Sequence, residues 1–122
     1  MMVRPFLLLL IAALAWPAAL FGRDAREQQR IDYLMQSLMA LKGAVFIRNG
    51  SEYDSSAARD HLQKKLSFGG ERVKTAEEFI KYCASESSFS HKPYQIRMSD
   101  GKTVNTATFF HARLKEFDEK PR

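Results

Sequence analysis

Arg48, Tyr53, His61 and Lys65 are side chains of the types that together hold an anion. A guanidinium can meet a carboxylate or phosphate with two parallel hydrogen bonds, and an ammonium adds a compact charge. His61 and Lys65 are four residues apart, so on a helix they share one face. Arg48 precedes Asn49-Gly50, a pair that accepts the positive φ of a tight turn, and Tyr53 follows it. If the apolar segment 44–47 packs beside the helix carrying His61, then Arg48, Asn49, Tyr53, His61 and Lys65 form one candidate binding surface. The same residues admit structural roles, with Arg48 on helix C-terminal carbonyls and Tyr53 and His61 at the rim of the core. As an enzyme, the group would make a small hydrolase or transferase, with His61 as general base and Arg48 holding the anion.

Other reactive side chains offer less. His61, His91 and His111 stand singly, with no partner at three or four residues and no cysteine placed to complete a zinc pattern. No metal, cofactor or catalytic residue is therefore assigned. Cys83 is the single cysteine, so no intrachain disulfide can form. It falls on the apolar stripe of its helix, where cysteine packs as a small hydrophobe. Ser85, Ser87, Ser88 and Ser90 lack the G-x-S-x-G setting of a nucleophile elbow and read as turn formers.

The elements that must position these residues follow from periodicity. Over 24–42, Ile31, Leu34, Met35, Leu38 and Leu41 recur at three- and four-residue steps, which predicts an amphipathic helix. Arg26, Glu27, Arg30 and Gln36 are expected on its wet side, and Gly43 ends it. Residues 44–47 read as a brief extended segment. Asp54 or Ser55 caps a second helix that turns Ala58, Leu62 and Leu66 inward, and Gly69-Gly70 breaks it. Thr75-Ala76-Glu77-Glu78 has the form of a capping box, opening a helix with Ala76, Phe79, Ile80 and Cys83 on one face. Residues 85–93 form a polar loop. A small hairpin is expected from 94–98, a Ser99-Asp100-Gly101 turn and 102–104. Thr106 is expected to cap a last helix bearing Ala107, Phe110, Leu114 and Phe117. The fold class is α+β, mostly α: about four helices with a small β-hairpin, in one compact domain.

Residues 1–22 differ in kind. Arg4 precedes an unbroken apolar run over 6–15, and no acidic residue appears before Asp24. That order matches a secretory signal peptide, with Ala13-Leu14-Ala15 or Gly22 marking cleavage sites. The run would make a helix of roughly 15 Å, half of the ~30 Å needed to span a bilayer. The reading is thus a signal peptide at 1–22 and one globular domain at 23–122, addressed to the periplasm. The alternative is an uncleaved anchor in the inner membrane. The 19 basic and 14 acidic residues lose only Arg4 with the leader, so the charge excess falls from +5 to +4. The cations are interspersed with acids rather than gathered in a stripe, which argues against nucleic acid.

Several short motifs recur in one order: F-I-R-N-G-x-x-Y at 46–53, H-L-x-x-K at 61–65, T-A-E-x-F-I at 75–80, A-S-x-S-S at 84–88 and K-P-Y at 92–94. Together they resemble the YfeK-like family of uncharacterised exported bacterial proteins, a domain of unknown function. The resemblance implies an envelope address and carries over no activity or catalytic residue. Several members of that family have glycine where His91 stands, which implies a positive φ there. Several also carry cysteines near the positions of Ala44 and Met98. The expectation is a non-enzymatic binding or interaction module of the envelope, its partner an envelope protein or a small anionic ligand. A purely structural envelope component is a further alternative.

Overall fold

A computed structural model describes residues 23–121. The expected leader lies outside the described residues. The chain runs α1 (Ala25–Met39), β1 (Val45–Arg48), β2 (Ser51–Tyr53), α2 (Ser55–Gly69) and a 3-10 turn (Gly70–Arg72). It continues through α3 (Ala76–Phe79), which widens into a π turn (Ile80–Ala84), then β3 (Gln95–Arg97), β4 (Thr103–Asn105) and α4 (Thr106–Glu119). The class is α+β, as expected. Among the described residues no helix is long and apolar enough to cross a membrane.

Polar side chains set most of the helix starts. Asp24 caps α1 through the amide of Glu27, and Asp54 caps α2 through that of Ala57, each at 2.8 Å. Thr75 and Glu78 form the reciprocal capping box at α3. At α4 the structure corrects the expectation. Asn105 occupies the cap position without a side-chain bond, and Thr106 is the first helical residue, buried, its amide donating to the Tyr94 carbonyl at 2.8 Å. The pairing of β3 with β4 reaches one residue further than hydropathy suggested.

The sheet is larger than the single hairpin expected. Its order is β2-β1-β3-β4, all antiparallel. Asn49-Gly50 closes the first hairpin, Asn49 at φ 52° and Gly50 at φ 79°. Three residues of β2 are too few to show a period in sequence; pairing with β1 creates that strand. Phe46 faces Tyr53 on one side and Ile96 on the other. By strand alternation, Arg48, Tyr53 and Tyr94 share that inner face with Phe46 and Ile96. One further step of the β1–β3 register places Ala44 opposite Met98.

All the helices lie on the inner face, and the core they enclose centres on Ile31, Leu34, Leu38, Phe79, Ile80 and Phe110. Cys83 joins it at 1% exposed, as its helical stripe predicted, and burial pushes its thiol pKa up. Helix α1 ends earlier than expected. Gly43 turns the chain at φ 69°, where a Cβ would sit 3.2 Å from that of Ser99. Close approach to the β3–β4 hairpin thus requires glycine.

Arg30 overturns its expected wet position. It is buried, and its guanidinium gives five hydrogen bonds of 2.8–3.1 Å to Glu27, Glu77 and Asp118, on α1, α3 and α4. Glu77 and Asp118, brought by α3 and α4, join Glu27 of its own helix to replace the water that hydropathy assigned to it.

Candidate functional site

The open end of the sheet's inner face and the first half of α2 enclose a cleft of about 330 Å³. Leu38, Phe46, Ala58 and Leu62 give it an apolar floor, while Arg48, Tyr53, His61 and Tyr94 stand around it. The sheet supplies Arg48, Tyr53 and Tyr94. The helix supplies His61 and, one turn on, Lys65.

These five side chains form one hydrogen-bonded chain. Arg48 Nη2 donates to the Tyr53 hydroxyl at 2.9 Å. Arg48 Nη1 lies 2.7 Å from His61 Nδ1 and 3.1 Å from Nε2. His61 Nε2 is 2.9 Å from the Tyr94 hydroxyl, to which Lys65 Nζ donates at 3.1 Å. Lys65 also donates to the Glu86 carbonyl at 3.0 Å. A guanidinium can only donate, so the imidazole nitrogen that bonds Arg48 accepts; where that is Nδ1, the nearer, the proton is on Nε2. Nε2–H and Lys65 then both donate to the Tyr94 oxygen. That leaves the Tyr94 hydrogen available to an acceptor in the cleft. The guanidinium also lies over the Tyr53 ring at 4.8 Å, and the Lys65 ammonium over the Tyr94 ring at 4.9 Å.

Burial first, then the charges of Arg48, Lys65 and Lys64, depress the His61 pKa from 6.5 to about 4. His61 is thus neutral at pH 7. Burial also lowers the Lys65 pKa and raises that of Tyr94. The hydrogen bond from Arg48 pulls the Tyr53 hydroxyl below its ordinary value. Among the described residues, no carboxylate pairs with Arg48, Lys64 or Lys65. Asp60 lines the cleft but pairs with Arg59 at 3.2 Å.

The structure brings Arg48, Tyr53, His61 and Lys65 together and leaves Asn49 outside the cluster. The Asn49 amide donates to Ser87 Oγ at 3.2 Å and its carbonyl accepts from Ser90 Oγ, tying the first hairpin to loop 85–93. Tyr94, noted in sequence only as part of the K-P-Y motif, is the member that the candidate surface lacked. Its place two residues before Ile96 on an alternating strand was the signal for it. His91 is exposed at φ 61°, as the glycine of related chains implied, and lies 2.7 Å from Glu86. Among the described residues no group of His, Cys, Asp and Glu could hold a metal ion.

Comparison with known proteins adds a family and no activity. A model described as "Family of unknown function (DUF5329)" matches residues 25–118. Over 71 residues the chain is 39% identical to the uncharacterized protein YfeK of Salmonella typhimurium. That match covers 58% of this chain and 59% of the relative's length. No solved structure matches the chain.

Proposed function

This chain belongs to the family of unknown function DUF5329, and from that premise we propose that it is a non-enzymatic binding module of the bacterial envelope. Its ligand is a small organic anion, a carboxylate or phosphate carried on an apolar body. One observation carries the reading: Arg48 and Tyr94 line a cleft with an apolar floor, Lys65 stands behind Tyr94, and among the described residues no carboxylate pairs with either cation. Unpaired, half-buried cations are costly for the apo protein, and an anion that enters offsets that cost. The apolar floor adds burial of the ligand's body, the usual division of labour in small-molecule sites. The leader at 1–22 supports the periplasm as the setting.

His61 serves here as a neutral spacer that orients Arg48 and Tyr94. Its ring nitrogens are both engaged and its basicity is depressed, which weighs against the rival role of general base.

A panel of small carboxylates and organophosphates, screened by thermal shift and then by calorimetry, tests the reading. At least one member should raise the melting temperature of the unsubstituted protein and fail to bind Arg48→Ala/Lys65→Ala. If that double variant melts far below the parent before any ligand is added, the cluster is structural and the reading falls. It falls equally if no anion binds the parent.

A further inference from the structure

Beyond Lys65 a second groove opens at the far end of α2. Its walls are the end of that helix with Phe68, the 3-10 turn with Arg72, the π turn with Lys81 and Tyr82, and loop 85–93. Two phenyl rings stand in water here. Phe68 is 89% exposed and Phe89 95%. Ser88 and His91, on either side of Phe89, line the groove that Phe68 also lines.

Neither ring is on a loose segment. Phe68 is on the last turn of α2. The turn bearing Phe89 is pinned by the buried Ser87, whose Oγ accepts from the amides of Phe89 and Ser90 at 3.2 and 3.3 Å and from Asn49 Nδ2 at 3.2 Å. The His91 amide donates to the Ser87 carbonyl at 2.9 Å, with His91 in the left-handed region at φ 61°. A well-bonded turn with one strained residue thus presents an apolar ring to solvent, and ordered exposure of that kind marks an interaction surface.

Cations back the rings. Lys65, Arg72 and Lys81 line the groove. Arg72 and Lys81 lie over the Tyr82 ring at 4.9 and 5.3 Å. Glu86 lines it too, spent on His91, and Glu71 lies beside Arg72 in the 3-10 turn.

We propose that this face docks on an anionic phospholipid bilayer. Phe68 and Phe89 enter the boundary between headgroups and acyl chains, while Arg72 and Lys81 meet the lipid phosphates. A groove built for a peptide sinks its aromatic anchors into a desolvated centre. Here Phe68 at the groove and Phe89 beside it are almost wholly exposed, an arrangement that suits a surface they can penetrate.

Flotation with vesicles tests this on the full chain, expressed in cells and recovered as they leave it. Vesicles rich in phosphatidylglycerol should carry the protein with them, phosphatidylcholine vesicles should carry far less, and added salt should release it. Phe68→Ala/Phe89→Ala should weaken binding about tenfold or more without moving the melting temperature, since apolar burial and charge act together at such interfaces. Arg72→Gln/Lys81→Gln should weaken binding to anionic vesicles alone. Absence of binding to phosphatidylglycerol vesicles overturns the proposal. Equal binding to both lipids, or binding that survives loss of both rings, does the same.

Discussion

The protonation of His61 links the candidate cleft to stability. Unfolded, the imidazole takes up a proton near 6.5; folded, it does so only near about 4. Between those values the unfolded state binds the extra proton, so acidification favours unfolding. The contribution of neutral His61 is complete above pH 6.5 and declines as pH drops toward 4. Urea midpoints at pH 7 and pH 5 should therefore fall further for the parent than for His61→Gln, which has no proton to gain. Parallel slopes would mean that the imidazole is not held neutral by Arg48 and burial. Arg48→Lys separates charge from geometry: an ammonium cannot bridge Tyr53 and His61 as the fork does. Affinity for an anion found in the screen should fall about tenfold in isothermal titration, an amount in keeping with one charged hydrogen bond.

At the scale of elements, Arg30 is the tie among three helices. Removing it takes the shared cation from Glu27, Glu77 and Asp118 and leaves only Arg26, 3.5 Å from Asp118, in its place. Glu77 and Asp118 side chains are 57% and 40% exposed and can rehydrate, while Glu27 is 18% exposed and cannot. Arg30→Ala should thus cost about 3 kcal/mol by chemical denaturation, the low end of the range for breaking a buried pair because two of the carboxylates reach water. The hydrogen bonds from Arg30 also lower the Glu77 pKa. Stability from that pair is present above the ordinary value of 4.5 and is lost as pH falls below it, a second acid step distinct from that of His61. The β1–β3 register makes its own prediction. Ala44→Cys/Met98→Cys should close a disulfide under oxidising conditions and stabilise by up to about 4 kcal/mol, given the long loop it spans. Free thiols persisting in that variant under oxidant would show the pairing to be out of step.

For the molecule as a whole, one core implies one transition. Calorimetric and van't Hoff enthalpies should agree at about 70 kcal/mol, as expected for roughly a hundred residues. Two resolved transitions would contradict a core shared by sheet and helices. The periplasmic setting is testable at this scale too. Residues 1–22 fused to a reporter active only outside the inner membrane should yield signal, and mass spectrometry of the exported protein should find an N-terminus within or just after the leader. An intact Met1 would instead favour the anchored form.

What the sequence determined alone was local. The capping residues Asp54 and Thr75, the apolar stripes, the Asn49-Gly50 turn and the burial of Cys83 all depend on near neighbours along the chain, which is where the information lies. The helix spacing also put His61 and Lys65 on one face, so part of the cleft was legible. Tertiary structure decided the rest: β2 exists only because β1 pairs with it, Arg30 is buried only because α3 and α4 deliver carboxylates, and Tyr94 enters the cluster only through strand pairing. Each of those outcomes turns on partners distant along the chain, whose meeting depends on the whole packed core rather than on any window of residues.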